Sequence, residues 1–385
     1  MDRTKEIRLI RAFLAQFGSG AQPLAGADST IDVAKYLDAA RYARECAVEF
    51  GSRLNLAAHS SELMAPGEFV TRDVLGAPVL IVRDDEQRAR AFLNVCRHRG
   101  ATVELRERGR CKRFVCPYHA WSYDRSGKLV MVRHPQGFPS MNLDEAGLVE
   151  LACDESAGLI WVCPNPAVQP SLDEHARTLL AEIAGLGPEQ PTLFARQSRV
   201  WQANWKILID GALESYHFKI AHPKTVGPIF TDTSSTYERI GDHFRVVLPR
   251  TSMRSLSAVP ESEWRLLEHA NVLYILMPNA MVLAQDDHCA LMTLNPIAVD
   301  ATRIDVSTIS RAPEGERHSE RSEAFLRKNH EFTLRTLSED FTLAEQIQRG
   351  LASGANSQFR LALFEGALRD FHAGLERRLT ASRGG

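Results

Sequence analysis

Residues 96–119 read CRHRGATVELRERGRCKRFVCPYH, and the meaning of this stretch governs the rest of the chain. One residue separates Cys96 from His98, and two separate Cys116 from His119. Two thiolates and two imidazoles can hold zinc or an iron–sulfur cluster. Zinc sites of this composition usually draw like ligands from each loop, as CxxC and HxxxH pairs. Here each loop supplies one ligand of each kind. That suits a cluster with two chemically distinct irons, one bound by both thiolates and the other by both imidazoles. Replacing anionic thiolates with neutral imidazoles raises the reduction potential of such a cluster.

The surroundings are β-prone. Short runs such as EFVTRDVL, APVLIVRD, ARAFLNV, KLVMV and GLIWVCP follow one another between about 66 and 165, divided by Gly, Pro and Asp-rich turns. Closely spaced short strands predict a small all-β domain. The proline-rich PNPAVQPSLDEH at 164–175 predicts its boundary. Beyond it, NWKILIDGALESYHF reads as helix, while YERIGDHFRVVL, ANVLYILM, AMVLAQ, CALMTLNPI and RIDVSTIS read as strands. The chain then ends in strongly helical sequence. The expected fold class is therefore α+β, with a cluster domain at 45–165 and a second domain from 1–44 and 166–385. A Gly/Pro/Ala-rich loop, GSGAQPLAGADST, is expected at 18–30.

Composition narrows the function classes. The 385 residues carry 46 basic and 48 acidic side chains, a formal net charge of −2, so no charge excess points to nucleic acid or an anionic membrane. The N-terminus does not read as a signal peptide, and no apolar run is long enough to span a bilayer, so a cytoplasmic location is expected. Seven cysteines, an odd and sparse set, argue against a disulfide scaffold. No GxGxxG fingerprint is present, so reducing power is expected to come from another protein.

A second constellation lies at 204–223, NWKILIDGALESYHFKIAHP. On a continuous helix Asp210, Glu214 and His217 share one stripe at i, i+4 and i+7. His222 is five residues beyond His217, a rotation of about 140°. Both can bind one metal only if the helix is distorted or ends between them, and Pro223 makes an end reasonable. Two His and one carboxylate with open positions form the facial triad of non-haem Fe(II) oxygenases. The carboxylate is sought elsewhere, with Asp340 in LSEDFTLAEQIQRGL as the candidate and Glu339 and Glu345 nearby.

CRHRG and CPYHAW resemble the two ligand loops of Rieske proteins, and the segment from NWK to His222 resembles the catalytic signature of Rieske non-haem iron oxygenase α subunits. The resemblance implies a [2Fe–2S] cluster on Cys96, His98, Cys116 and His119, and a mononuclear Fe(II) on His217, His222 and Asp340. It implies a catalytic domain with an antiparallel sheet gripped by helices. In the family an acidic residue three positions before the first histidine links a cluster histidine of a neighbouring subunit to an iron-ligand histidine of its own. That residue is usually Asp. Here it is Glu214, as in the subset resembling choline and carnitine oxygenases, with Asp210 as the alternative bridge. A separate reductase, with or without a ferredoxin, and an α3 homotrimer, with or without a β subunit, are further implications.

The expected activity is hydroxylation, dihydroxylation or dealkylation of a small organic substrate by O2. An aromatic substrate is placed first and a quaternary ammonium compound, which needs an aromatic cage, second. Phe230, Tyr274, Met277, Met281, Leu283 and His288 are pocket candidates. The rival class is a Rieske electron carrier without catalytic iron, and a zinc module is a third reading.

Overall fold

The computed structural model describes residues 1–20, 22, 24, 26–186, 191–310 and 319–382. Residues 21, 23 and 25 of the loop expected at 18–30 lie outside that set. The chain forms two compact units, Cys46–Asp173 and a discontinuous one made of Met1–Glu45 with Glu174–Gly385. The architecture is α+β with antiparallel sheets, as the sequence reading expects.

Cys46–Asp173 is built from short strands. Glu150–Leu151, Ala89–Leu93, Ala77–Arg83, Glu68–Val74 and Arg108–Arg110 make a five-stranded sheet in that order. Asn55–His59 joins the hairpin Cys153–Ser156 and Leu159–Val162, and Phe114–Val115, Ser122–Tyr123 and Leu129–Met131 form a third small sheet. Phe69, Phe92, Phe114, Trp121 and Tyr123 are buried together with Cys96 and Cys116, so the ligand loops emerge from an aromatic core. The turn at SGK needs its glycine. Gly127 has φ of +82°, and a Cβ there would lie 2.4 Å from the Phe92 ring.

The discontinuous unit centres on seven antiparallel strands. These are β1 (Thr192–Trp201), β2 (Thr236–Ile240), β3 (His243–Pro249), β4 (Ala270–Leu276), β5 (Ala280–Ala284), β6 (His288–Ala298) and β7 (Ala301–Ser310). The order 1-7-6-5-4-3-2 is a meander from β2 to β7, with β1 returning to the far edge. Every residue of β3 and β4 is buried, which explains their nearly continuous apolar sequence. Helices α1 (Trp205–Ala212), α2 (Phe218–Ala221), α3 (Glu320–Ala352) and α4 (Gly366–Ala381) complete the site-bearing part. The long α3 packs on β1, β6 and β7 and on α1, which places its carboxylates near the end of α1. Among the described residues no helix is long and apolar enough to cross a membrane.

A fully buried ion pair anchors the N-terminal segment to α1. Lys206 Nζ lies 2.5 Å from Glu45 Oε2, both side chains at 0% exposure. Trp205 Nε1 donates to the same oxygen at 3.0 Å, and Arg41 Nε donates to Oε1 at 2.7 Å. Burial lowers the Lys206 pKa, and Glu45 opposes that shift. Removing Lys206 leaves Glu45 paired with Arg41, whereas removing Glu45 leaves the Lys206 ammonium buried without its partner. Glu45→Leu is therefore expected to destabilise this unit by about 3–5 kcal/mol, read from the denaturant midpoint. Lys206→Met/Glu45→Leu should recover much of the loss.

Candidate metal centres

The two cluster loops share one backbone design. Cys96 N donates to Ala101 O at 2.8 Å, and Gly100 N donates to Cys96 O at 2.9 Å. Cys116 N donates to Trp121 O at 2.8 Å, and Ala120 N donates to Cys116 O at 3.0 Å. The fifth residue of each turn is left-handed, Gly100 at φ +76° and Ala120 at +61°. The side chains converge. His98 Nδ1 lies 3.0 Å from His119 Nδ1, and the Cys116 thiol, pushed up by burial, faces Cys96. Trp121 stacks on His98 with centroids 4.9 Å apart and planes 7° apart, and Phe138 meets both rings edge-on. Tyr123 Oη accepts from Arg97 N at 3.0 Å and sits 3.3 Å from Cys96 Sγ. Two facing imidazole nitrogens beside two facing thiols fit a cluster with unlike irons.

In the other unit the helix expected across 204–218 breaks. α1 stops at Ala212, so Asp210, Glu214 and His217 do not share a stripe. Leu213 N bonds back to Ile209 O and Asp210 O, and Glu214 Oε2 accepts from the backbone N–H groups of Tyr216 and His217. Those bonds replace the helical ladder. The chain then makes the single turn α2, with His217 at its N-cap and His222 at its C-cap. The five-residue spacing is thus bridged by a short helix with one imidazole at each end.

His217, His222 and Asp340 come together, each offering a ligand atom within 4.8 Å of the others. His217 Nε2 is 3.2 Å and His222 Nε2 2.7 Å from Asp340 Oδ1. His222 Nε2 is buried without an aligned hydrogen bond. The opposite ring nitrogens each face a carboxylate. His217 Nδ1 bonds Glu214 Oε1, and His222 Nδ1 lies 2.7 Å from Glu339 Oε2, which Thr225 Oγ1 also approaches at 2.5 Å. Burial alone would lower the His217 pKa, but Asp340 and Glu214 push it up to about 10. Burial alone would raise the Asp340 carboxyl, and the two imidazoles hold it below the usual range. Two imidazoles and a carboxylate aimed at one point, each imidazole braced from behind, fit a divalent metal.

Asp210 stands apart from this group. Its Oδ2 accepts from Tyr36 Oη at 2.6 Å, and its Oδ1 lies 2.8 Å from His372 Nε2. Both oxygens are thus engaged within the unit, by Tyr36 and His372. Glu339 entered the sequence reading only as a neighbour of Asp340. Its adjacency on α3 was the available signal, but only the fold shows that it braces His222.

A cavity of about 380 Å³ opens onto His217, His222 and Asp340. Phe230, Met281 and Leu283 line it, as expected. Tyr274, Met277 and His288 do not. Side chains alternate along β4, so Asn271 and Leu273 face the cavity while Tyr274 lies on the opposite face, near Glu182. His288 bonds Asp287 and Gln285.

Residues 189–381 match the profile of the ring hydroxylating alpha subunit (catalytic domain), and 54–142 match the Rieske [2Fe-2S] domain. The carnitine monooxygenase oxygenase subunit of Escherichia coli K12 is 34% identical over 197 residues, 50% of this chain and 52% of the relative. The glycine betaine monooxygenase oxygenase subunit of Chromohalobacter salexigens is 30% identical over 190 residues, covering 49% and 42%. The chain thus spans about half the length of the curated relatives it matches. A solved quaternary ammonium Rieske monooxygenase shares the fold, with a TM-score of 0.78 at 22% identity over 91% of this chain and 95% of the other.

Glu339→Ala is expected to weaken ferrous iron binding by roughly 10–100-fold, because an unbraced His222 ring loses its orientation. Glu339→Gln keeps an acceptor and should retain most of the affinity. Anaerobic iron titration distinguishes the two.

Proposed function

The chain belongs to the ring-hydroxylating α subunits, the Rieske non-haem iron oxygenases, and on that premise we propose that it is a terminal oxygenase component acting on an N-methylated quaternary ammonium compound. Its cofactors are a Rieske [2Fe–2S] cluster and a mononuclear iron. Cys96, His98, Cys116 and His119 would hold the first, and His217, His222 and Asp340 the second. When bound, the cluster supplies single electrons and the iron supplies open positions for O2 chemistry. The protein's own part is positional. Glu214 and Glu339 fix the imidazole rings, Trp121 and Phe138 cover His98, and the cavity's aliphatic side chains exclude water. Electrons would come from a separate reductase. Glu214 would link each iron site to a cluster histidine of an adjacent subunit in a homotrimer.

The choice of substrate is carried by the crowding of carboxylates on a cavity whose remaining lining is mostly apolar. Glu214, Asp340 and Glu365 line it beside Asp210. Burial, with Glu214 and Asp210 nearby, raises the Glu365 carboxyl. Such a site attracts a cation, and the aromatic residues Phe218, Phe230, Phe341 and Phe359 also line it. The relatives named for carnitine and glycine betaine support the same choice over the aromatic substrate that the sequence reading places first. The second reading, an uncharged aromatic, is favoured by the Leu and Met side chains on the sheet wall.

Metal analysis and oxygen uptake test the proposal. The purified protein is expected to carry one further iron beyond the cluster's pair. His217→Ala should lose that iron and substrate-dependent oxygen uptake while keeping the EPR signal of the reduced cluster. With a competent reductase, trimethylammonium compounds should stimulate uptake. Stimulation by aromatic compounds alone would move the assignment to the second reading, and an unchanged iron count in His217→Ala would remove the catalytic iron from this site.

A further inference from the structure

One polar group interrupts the sheet wall of the cavity. Strands β3 to β6 present Leu248, Leu273, Met281, Leu283 and Met292 to it, together with Asn271. Cross-strand register pairs Leu248 with Asn271, Leu273 with Leu283 and Met281 with Met292, so these positions form one continuous patch. Asn271 is 5% exposed. A buried amide in apolar surroundings is costly unless its hydrogen-bonding groups are satisfied.

Half of that requirement is met from behind. Arg250 donates to Asn271 Oδ1 from Nη2 at 2.7 Å and from Nε at 3.2 Å. A guanidinium only donates, so the amide oxygen must face Arg250 and the NH2 group must point elsewhere. That amide nitrogen has no protein partner among the described residues, and Asn271 borders the cavity. The positive charge behind the carbonyl polarises the amide and strengthens its N–H groups as donors.

We propose that Asn271 is a specificity-determining residue that donates a hydrogen bond to a carboxylate of the substrate, so that the enzyme selects acids over otherwise identical compounds lacking that group. The other polar groups on the lining do not offer this donor from the sheet side, and the guanidinium there, that of Arg360, sits on an exposed side chain away from the sheet wall. The Thr336 hydroxyl donates to Phe332 O at 3.0 Å. Glu214, Asp340 and Glu365 would repel an acid, and they come from the turn after α1, from α3 and from the residue before α4 rather than from the sheet. An acidic substrate is therefore received at the sheet wall. A methylammonium group at its other end would meet the carboxylates. The inference rests on the cavity being the substrate pocket, but it holds for aromatic acids as well as for betaines.

Anaerobic calorimetric titration of the iron-loaded protein tests it with matched ligands: γ-butyrobetaine against pentyltrimethylammonium, and 3-phenylpropanoate against propylbenzene. In at least one pair the acid is expected to bind about tenfold or more tightly than its match. Asn271→Asp keeps the partner of Arg250 but turns an oxygen toward the cavity, and it should abolish the preference. Asn271→Leu, which removes the donor at similar volume, should do the same, and circular dichroism checks that each variant folds. Arg360→Leu should leave the preference in place. The proposal is overturned if neither acid binds, if both matches bind as tightly as the acids, if the preference survives in a folded Asn271 variant, or if Arg360→Leu abolishes it. None of these outcomes alters the iron count, so failure here is distinguishable from failure of the oxygenase assignment.

Discussion

The convergence of His217, His222 and Asp340 depends on two hydrogen bonds in which Glu214 accepts the amide protons of Tyr216 and His217. They draw the chain out of α1 and set the direction in which α2 begins. Had the helix continued, His217 and His222 would face directions roughly 140° apart, too divergent for one ion. The carboxylate that ends the helix also holds the far nitrogen of His217. One side chain thereby fixes both the backbone path and the ring. Asp340 arrives from a 33-residue helix packed along the sheet.

Around that point the polar groups fall into two sets with different tasks. Glu214, Glu339 and Asp340 surround the imidazoles. Asp210 instead joins Tyr36, from the N-terminal segment, to His372 on α4. The second set closes the discontinuous unit by linking three distant parts of the chain in one buried network. A buried carboxylate with both oxygens engaged is well suited to holding structure. Two acidic residues four apart in sequence thus diverge in role because the helix ends between them.

Much of this was legible in the sequence, for identifiable reasons. The paired CxH and CxxH loops carry mixed ligands whose order survives any detail of folding. Six of the seven strands of the large sheet overlap runs that read as strands, whereas the edge strand Thr192–Trp201, with its arginines and polar residues, does not stand out. His217, His222 and Asp340 stand out as candidates because few residue types bind iron, and the fold brings the three to one point. What escaped were features set by backbone direction. The break after Ala212 is invisible to periodicity, since LESYH continues a helical pattern. Tyr274 looked like a pocket residue and faces the other side, because alternation along a strand gives two faces without saying which is inward. Glu339 and Asn271 gain their meaning from partners, His222 and Arg250, that sequence distance gives no reason to connect.

The pair of Glu45 and Lys206 has a consequence for how the protein is made. The two residues are 161 positions apart, and all of Cys46–Asp173 lies between them. At ribosomal speeds of about 5–20 residues per second, Glu45 emerges on the order of ten to thirty seconds before Lys206 exists. During that interval the first segment has no cation on α1 to meet, while the cluster-bearing stretch can already collapse around its aromatic core. The order of synthesis therefore favours completing the inserted unit first. The surrounding unit can close only after the chain has passed Lys206 and begun to lay down its sheet.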